Sequence, residues 1–250
     1  MAAICNGIYL HKTGLIPFGA TFLVFADYMR GAMRLSALAE TQNIYVLTHD
    51  SIALGEDGPT HQPVETIASL RVMPNLLVFR PADGNETSGS YKVAIERRTT
   101  SSVMAMTRQA LPQLAGSSIE AVSRGGYILS NDGDLSDILL IGTGSEVSLC
   151  VDVAAKLRTE GYKVCVISMP CVELFEEQDA AYKNAVMPKA VTKRLVVEAG
   201  TTFGWHKYAG TDGDVVGIDR FGASAPGGTL MEKFGFTVDN VYNRAKALLV

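Results

Sequence analysis

The chain has 250 residues, of which 47% are hydrophobic and 19% charged, with a formal net charge of -4. The length fits one large or two modest domains, since domains usually have roughly 100–200 residues. The slight acidic excess gives no basic surface for nucleic acid, and polar residues or glycines interrupt each apolar stretch before it reaches the roughly 18–20 residues of a membrane helix. We therefore expect a soluble protein that binds small molecules or proteins, and neither nucleic acid nor a membrane.

Short apolar runs alternate with longer amphipathic runs, which is typical of βαβ units and mainly parallel sheets. The fold class is therefore α/β. Strands are predicted at residues 44–48, 76–80, 103–107, 138–142, 164–168, 195–198 and 215–218. Helices are predicted at residues 21–38, 64–70, 86–97, 146–160 and 238–249.

A polar, glycine-bearing segment at residues 109–137 divides the chain into two α/β blocks. Its sequence Asn131-Asp132-Gly133-Asp134 lacks the downstream glutamate of a calcium loop and is interpreted as a surface turn. We place the domain boundary near Ser118, which gives domains at residues 1–118 and 119–250.

The four cysteines show neither a CxxC pair nor a histidine at the spacing of a zinc finger. Unpaired cysteine behaves as a small hydrophobic residue, so we expect buried free thiols and a reducing compartment. No metal-ligand set is predicted. The residues concerned are Cys5, Cys150, Cys165 and Cys171.

A loop rich in titratable groups, residues 48–63, follows the first predicted strand. His49 and His61, with Asp57 between them, offer donors and acceptors to the hydroxyls of a sugar-like ligand. Ligands of open parallel sheets bind outside the carboxyl ends of the strands, where this loop is expected. The alternative is a solvated surface loop.

Three aromatic residues in the predicted helix 21–38, Phe22, Phe25 and Tyr28, are spaced to lie along one side of it. Such rings can sandwich a flat heterocycle, although the spacing alone favours a place in the core. Arg108 follows another strand and suits a bidentate grip on phosphate, or an ion pair with a neighbouring acid.

Two glycine-bearing segments are interpreted structurally. Residues 142–146, Gly-Thr-Gly-Ser-Glu, lack the third glycine of a nucleotide cradle, so Ser145 is predicted to cap a helix with Glu146 in its first turn. Residues 220–227, Arg-Phe-Gly-Ala-Ser-Ala-Pro-Gly, predict close backbone packing or a subunit contact. His11 and His206 have no partner in sequence and are expected to be structural or solvent-facing.

Nine short blocks occur in a fixed order along the chain. They are THDS (48–51), LGEDGPTHQP (54–63), RPAD (80–83), SYK (90–92), RQ (108–109), IGTGSE (141–146), EAG (198–200), FGW (203–205) and DRFGASAP (219–226). Together these blocks resemble the transketolase family, nearest to its plant and algal forms. The GEDGPTHQP sequence is very specific to that family.

The resemblance implies an incomplete pyrimidine-binding domain of a thiamine diphosphate enzyme, a parallel sheet with flanking helices, followed by a transketolase C-terminal-like α/β domain. It implies the transfer of a two-carbon ketol unit from a ketose phosphate to an aldose phosphate. The cofactors are then thiamine diphosphate and Mg²⁺, with the metal ligands outside this chain. Relatives of this kind form homodimers, and a soluble, cytoplasmic or plastid stromal location is expected.

By matching positions, the resemblance assigns roles to the residues already singled out. Phe22, Phe25 and Tyr28 would form the aminopyrimidine pocket, with Phe25 stacking on the ring. His61 would lie beside the cofactor and exchange a proton with the substrate. The substrate would be bound by His49, Asp57 and Arg108.

The chain departs from the family in four respects. The family's diphosphate-binding domain and the opening part of its pyrimidine-binding domain are absent. So is the glutamate that bonds the aminopyrimidine, which would lie just before Met1. Ala53 stands where the family usually has glycine.

Three hypotheses follow. The chain is a fragment that is inactive alone, a half-enzyme that needs a separate subunit with the diphosphate domain, or a non-catalytic dimerisation or regulatory module.

Overall fold

Two separate β-sheets organise the protein in the computed structural model, which describes residues 1–133 and 135–250. Asp134, the last residue of the predicted surface turn, lies outside the described residues. We call residues 1–106 the N-terminal unit and residues 127–250 the C-terminal unit. The helices are α1 (Ala2–Leu10), α2 (Ala26–Leu38), α3 (Thr66–Arg71), α4 (Gly84–Glu96), α5 (Glu146–Thr159), α6 (Val172–Glu176), α7 (Ala180–Val186), α8 (His206–Ala209), α9 (Gly227–Lys233) and α10 (Val238–Leu249). The strands are β1 (Phe18–Phe22), β2 (Ile44–Thr48), β3 (Leu76–Phe79), β4 (Ser101–Met106), β5 (Tyr127–Ser130), β6 (Ile138–Gly142), β7 (Val164–Ser168), β8 (Arg194–Val197) and β9 (Asp214–Val216).

The N-terminal unit has a four-stranded sheet in the order β1-β2-β4-β3, and each pair of neighbours is parallel. Phe22 is paired with Thr48, and Thr48 with Met106, so the carboxyl ends of β1, β2 and β4 are level with one another. Successive side chains of a strand point to opposite faces, so β2 buries Tyr45 and Leu47 against the helices of one face. This register brings whatever follows the three strands to one edge of the sheet.

The C-terminal unit has a five-stranded sheet in the order β5-β7-β6-β8-β9. Its strands are parallel except β5, which runs antiparallel to β7. The central strand β6 is buried along its whole length, which explains why its sequence is a continuous apolar run. The predicted α/β architecture is confirmed, and the second sheet is mixed because of β5.

Each predicted strand is present, with ends shifted by no more than two residues. The helix predicted at residues 21–38 is wrong over its first turn, because β1 extends to Phe22 and a 3₁₀ helix spans Leu23–Phe25 before α2 begins. The sequence FGATF pairs with β2 along its whole length, and this tertiary pairing overrides the helical pattern. The elements that the sequence did not predict are β1, β5, α1, α6, α7, α8 and α9.

All four cysteines are buried and free, as predicted. Burial raises the pKa of each thiol, so the thiols stay protonated. Among the described residues there is no group of three or more histidine, cysteine, aspartate or glutamate residues that could hold a metal ion. No described helix is long and apolar enough to cross a membrane.

Arg80 joins the two units through a buried charge cluster. It follows β3, its side chain is 0% exposed, and its Nε donates a hydrogen bond to Asp50 Oδ2 at 2.9 Å. Its Nη1 donates to the Thr143 hydroxyl at 2.8 Å and to the carboxylate of Glu146 at the start of α5. An unpaired guanidinium at this depth would be very costly. The carboxyl ends of the two sheets are therefore tied to one cation.

A second buried ion pair extends this cluster. Arg71, at the end of α3, donates from both terminal nitrogens to the two carboxylate oxygens of Glu198, each at 2.8 Å. Thr143 donates to Glu198 Oε2 at 2.7 Å and so touches both ion pairs. Burial opposes ionisation of Glu198, but Arg71 outweighs it and holds the pKa of this carboxyl below its ordinary value.

We expect Arg80→Met to lower the free energy of unfolding by about 3–5 kcal/mol, because Asp50 and Glu146 would remain buried without their cation. Arg97→Met is the matched control. Arg97 pairs with Glu177 at the surface, where both side chains are over 40% exposed, 41% and 48%, so its loss should cost about 1 kcal/mol or less. Urea unfolding followed by the fluorescence of Trp205 measures both. Equal costs would contradict the role assigned to the buried cluster.

Candidate active site

The site begins with the level carboxyl ends of three parallel strands. Phe22 ends β1, His49 follows β2, and Arg108 comes two residues after β4. Because these strands are neighbours in register, their ends place an aromatic ring, an imidazole and a guanidinium at one edge of the sheet. This is the edge where open parallel sheets bind ligands.

Five aromatic rings form a continuous cluster at this edge. The rings of Phe22 and His49 have centroids 3.9 Å apart, and those of Phe22 and Phe25 are stacked at 6.0 Å. His61 meets Phe25 edge-on at 5.5 Å, and Tyr28 lies 6.0 Å from Phe25. The structure therefore brings together the three aromatic residues and the two histidines that the sequence singled out.

The three aromatic residues reach this cluster from different elements rather than from one helix. Phe22 ends a strand, Phe25 lies in the 3₁₀ turn, and Tyr28 is in the first turn of α2. Tyr28 is 90% exposed, so the place in the core that ring spacing alone favoured is wrong for this residue. Exposed tyrosine faces of this kind are common at binding surfaces.

A cleft of about 400 Å³ opens beside these rings and is lined by Met1, Thr21, Phe25, Tyr28 and Met29. Its lining includes two aromatic rings and two thioether side chains, which suit a flat apolar ring system. Phe22 does not line the cleft. Its ring lies between those of Phe25 and His49 and supports both.

His49 is held in a backbone conformation that non-glycine residues seldom adopt, with φ of 64°. Its Nδ1 is hydrogen-bonded to the hydroxyl of Thr48 at 2.9 Å. Burial and then the charge of Arg108 lower the pKa of the imidazole, while the charges of Asp57 and Asp50 act in the opposite direction. The neutral ring is therefore favoured near pH 7, and Arg108 and Asp57 lie within electrostatic reach of it.

His61 repeats the same local arrangement. Its Nδ1 is hydrogen-bonded to the hydroxyl of Thr60, the residue before it, at 2.9 Å. Within the described residues, Nε2 has no hydrogen-bond partner in either His49 or His61. Each ring is thus fixed through one nitrogen, and the other nitrogen is available to a ligand. The sequence analysis did not predict a role for Thr48 and Thr60. The signal for it was that a threonine directly precedes each of the two site histidines.

Asp57 and Arg108 are exposed and form the rim of the site. The loop that carries Asp57 turns through two glycines with positive φ, Gly55 at 101° and Gly58 at 76°. Ala53, where a glycine was expected from the family, lies in the 3₁₀ helix Ile52–Leu54 and has no positive φ. The alanine is therefore accommodated without backbone strain.

Other histidines and the glycine turn lie outside the site. His11 and His206 are exposed, as expected. The prediction that Ser145 caps α5 is wrong, because its hydroxyl makes no capping bond and instead donates to Glu146 Oε1 at 2.5 Å. Glu146 is in the first turn as predicted, but it is used to bind Arg80.

Sequence comparison matches both parts of the chain to known domain families. Residues 1–113 match the transketolase pyrimidine-binding domain, and residues 125–237 match the transketolase-like C-terminal domain. The chain belongs to the transketolase family. It is 64% identical over 251 residues to the transketolase of Nostoc sp., covering 100% of this chain and 38% of that protein. It is 58% identical over 248 residues to the chloroplastic transketolase of Solanum tuberosum, covering 98% of this chain and 34% of that protein.

Solved structures give the same family. The transketolase of Pichia stipitis in complex with sedoheptulose-7-phosphate has a TM-score of 0.95 and 49% identity, covering 100% of this chain and 36% of that one. A split-gene transketolase described as an inactive β4 tetramer shares the fold, with a TM-score of 0.76 and 22% identity, and 81% of its chain is covered. The present chain therefore spans well under half of the full-length relatives.

We expect Arg108→Gln to raise the pKa of His49, because it removes a positive charge that disfavours protonation of the ring. Arg98→Gln, at the amino end of β4 and so at the opposite edge of the sheet, makes the same charge change and should leave His49 unaffected. Titration of the imidazole signals by NMR measures both. An unchanged pKa of His49 in Arg108→Gln would contradict the placement of Arg108 close to this imidazole.

The lowered pKa of His49 also predicts how stability depends on pH. Between the pKa of His49 in the folded protein and its ordinary value of 6.5, the unfolded chain binds more protons than the folded one. The free energy of unfolding should therefore rise as the pH is raised through this interval.

Proposed function

We propose that this chain supplies the pyrimidine-ring half of a transketolase active site and transfers a two-carbon ketol unit between sugar phosphates only when a diphosphate-binding region completes it. The observation that carries this proposal is the ring-lined cleft beside two imidazoles whose Nε2 atoms are available to a ligand. The family uses thiamine diphosphate, whose thiazolium supplies the electron sink when it is bound.

The residues of the cleft fit the ring end of that cofactor. Phe25 and Tyr28 offer flat faces, and the cleft volume of about 400 Å³ accommodates a small heterocycle. The diphosphate end has no matching metal site among the described residues. Mg²⁺ ligands would therefore come from the region that completes the site.

His61 is suited to move a proton. Its Nδ1 is hydrogen-bonded to Thr60, and its Nε2 has no hydrogen-bond partner among the described residues, so that nitrogen can exchange a proton with a substrate oxygen. Arg108 and His49 would hold the phosphate of the sugar, and Asp57 would accept a hydrogen bond from one of its hydroxyls. The sugar phosphate bound to the Pichia stipitis relative is of this class.

A face of the N-terminal unit is open to a partner. β1 is an edge strand among the described residues, and an apolar groove of about 460 Å³ lies beside it. Phe18 on this strand is 70% exposed. A large apolar side chain exposed on an edge strand indicates a surface that another polypeptide covers. We propose that a polypeptide region with the diphosphate-binding domain docks here, and that the assembled protein is a dimer of such sites. The groove is lined by Ile16, Phe18, Ala20, Ile44, Val46, Tyr91 and Ile95.

Two further proposals concern the biological setting. The chloroplastic relatives favour a plastid stromal location, with the cytoplasm as the alternative. The boundary near residue 118 is proposed to divide the two domains, since it falls between the two matched segments. A non-catalytic module that dimerises with full-length transketolase remains the competing function.

Titration calorimetry of thiamine diphosphate with Mg²⁺ should detect no saturable binding to the purified chain. Saturable binding should appear once the diphosphate-binding region of a transketolase is added, because each half contributes part of the contacts. Saturable binding by the chain alone would contradict the half-site. Capture of full-length transketolase without added turnover would favour the non-catalytic module instead.

In the assembled enzyme, His61→Gln should lower kcat by roughly a hundredfold to ten-thousandfold, the usual contribution of general acid–base catalysis. His206→Gln is the matched control, since His206 is exposed in α8 of the C-terminal unit and is not one of the rings of the cluster. Steady-state ketol transfer with a ketose phosphate donor measures both. Equal rates for the two variants would remove His61 from the mechanism.

A further inference from the structure

His49, Asp57 and His61, the polar site residues that follow β2, each have a neighbour in sequence that is linked to the C-terminal unit, either directly or through Arg80. Asp50 follows His49 and is bound by Arg80, which itself is bound by Thr143 and Glu146. The pattern recurs at the other two positions of the site loop, which we define as residues 49–62.

Glu56 precedes Asp57, and its backbone carbonyl accepts a hydrogen bond from the Ser224 hydroxyl. Gln62 follows His61, and its Nε2 donates to the carbonyl of Ala223 at 2.9 Å. The same amide nitrogen lies 3.2 Å from the carbonyl of Gly55, so it joins the loop to itself and to the C-terminal unit.

Small residues let the two units approach closely at this point. A Cβ on Gly227 would lie well inside van der Waals contact distance of the Ala53 carbonyl oxygen, and a Cβ on Gly58 would lie 3.2 Å from the Ser224 Cβ. Gly222 leaves no room for a side chain beside Gln62. The close backbone packing predicted from the sequence at residues 220–227 is confirmed, and the surface it packs against is the site loop.

The site loop needs external support because its own bonds fix it only weakly and one of its residues is strained. His49 has a positive φ, which non-glycine residues seldom adopt, whereas Gly55 and Gly58 adopt theirs without strain. Its internal backbone bonds are short turns, such as Gly58 N to Gly55 O at 3.1 Å and His61 N to Gly58 O at 3.0 Å. Turns of this kind fix few dihedral angles, so contacts from outside decide where Asp57 and His61 point.

We propose that residues 222–227 of the C-terminal unit are a positioning device that sets the orientation of Asp57 and His61 in the active site. Gly227 and Ser224 act through the site loop and touch neither substrate nor cofactor. The effect of this positioning on catalysis rests on the proposed function. That the C-terminal unit imposes the shape of the site loop does not depend on any activity.

The test compares two adjacent glycines in the first turn of α9. Gly227→Ala forces the Ala53 carbonyl to move, whereas a Cβ on Gly228 meets nothing within 4 Å. Both changes add the same methyl group at the same helix end, so helix propensity affects them alike. In NMR spectra of the full chain, Gly227→Ala should shift the imidazole signals of His61, while those of His11 and His206 and the indole signal of Trp205 stay unchanged. Gly228→Ala should reproduce the wild-type spectrum.

In the assembled enzyme, Gly227→Ala should lower kcat by roughly tenfold to a hundredfold, the cost of misplacing a catalytic group by about 1 Å. The Kd for thiamine diphosphate should stay within about twofold, because Phe25 and Tyr28, which line the cleft, lie outside the loop, and His61 meets Phe25 only edge-on. Gly228→Ala should change neither quantity. A purely structural role would lower stability and leave the imidazole signals of the folded fraction where they were.

A second, milder variant covers the case that Gly227→Ala fails to fold. Ser224→Ala removes one exposed hydroxyl that donates to Glu56, and Ser123→Ala, whose exposed hydroxyl donates to the carbonyl of Glu120, is its control. Ser224→Ala should shift the His61 signals in the same direction as Gly227→Ala, and Ser123→Ala should not. Unshifted His61 signals in Ser224→Ala would overturn the inference. Absence of ketol transfer in the assembled wild type would overturn the proposed function instead. The positioning role would then be tested by the NMR spectra of the variants alone.

Discussion

The buried cation of Arg80 is the constraint on which the rest of the structure depends. A guanidinium that is 0% exposed needs carboxylates around it, and they come from different elements, Asp50 after β2 and Glu146 at the start of α5. Since desolvation offsets much of the attraction, the cluster specifies geometry more than it adds stability. It requires the carboxyl ends of both sheets to face each other, and it fixes Asp50 beside the strained His49.

Much of the fold followed from the sequence because buried parallel strands are continuous apolar runs. β6 and β7 were predicted at their observed bounds for this reason. β1 was missed because FGATF runs directly into an aromatic pattern that continues as α2, and only pairing with β2 reveals the strand. The helices α6 to α9 have at most seven residues, too few for a periodic signal to separate them from loops.

The site was predictable in its polar half and ambiguous in its aromatic half. The site loop follows a strand and is rich in groups that bind sugars, so its place at the carboxyl edge followed from the sequence alone. Ring spacing cannot separate a core stripe from a binding cleft, and only the family resemblance favoured the cleft for Phe25 and Tyr28. The ion pair between Arg80 and Glu146 could not be predicted from the sequence, because it depends on how the two units pack. Residues 142–146 have the sequence of an ordinary helix start and give no sign of it.

The two units contribute to the site in different ways. The groups that would touch a ligand come from the N-terminal unit and from Arg108 directly after it. Several of them are poorly buried, since Tyr28 is 90% exposed and Asp57 and Arg108 are exposed at the rim. Such groups gain little from packing, so their arrangement has to be imposed by neighbours that are well packed. Those neighbours are Asp50, which is 1% exposed, and Gln62, which is 2% exposed. Asp50 is bound by Arg80, which itself binds Thr143 and Glu146 of the C-terminal unit, and Gln62 donates to the carbonyl of Ala223 in that unit. Rigid support beneath exposed functional groups is what pre-organised binding requires. In the proposed positioning role, the C-terminal unit supplies that support without contributing a ring to the cluster.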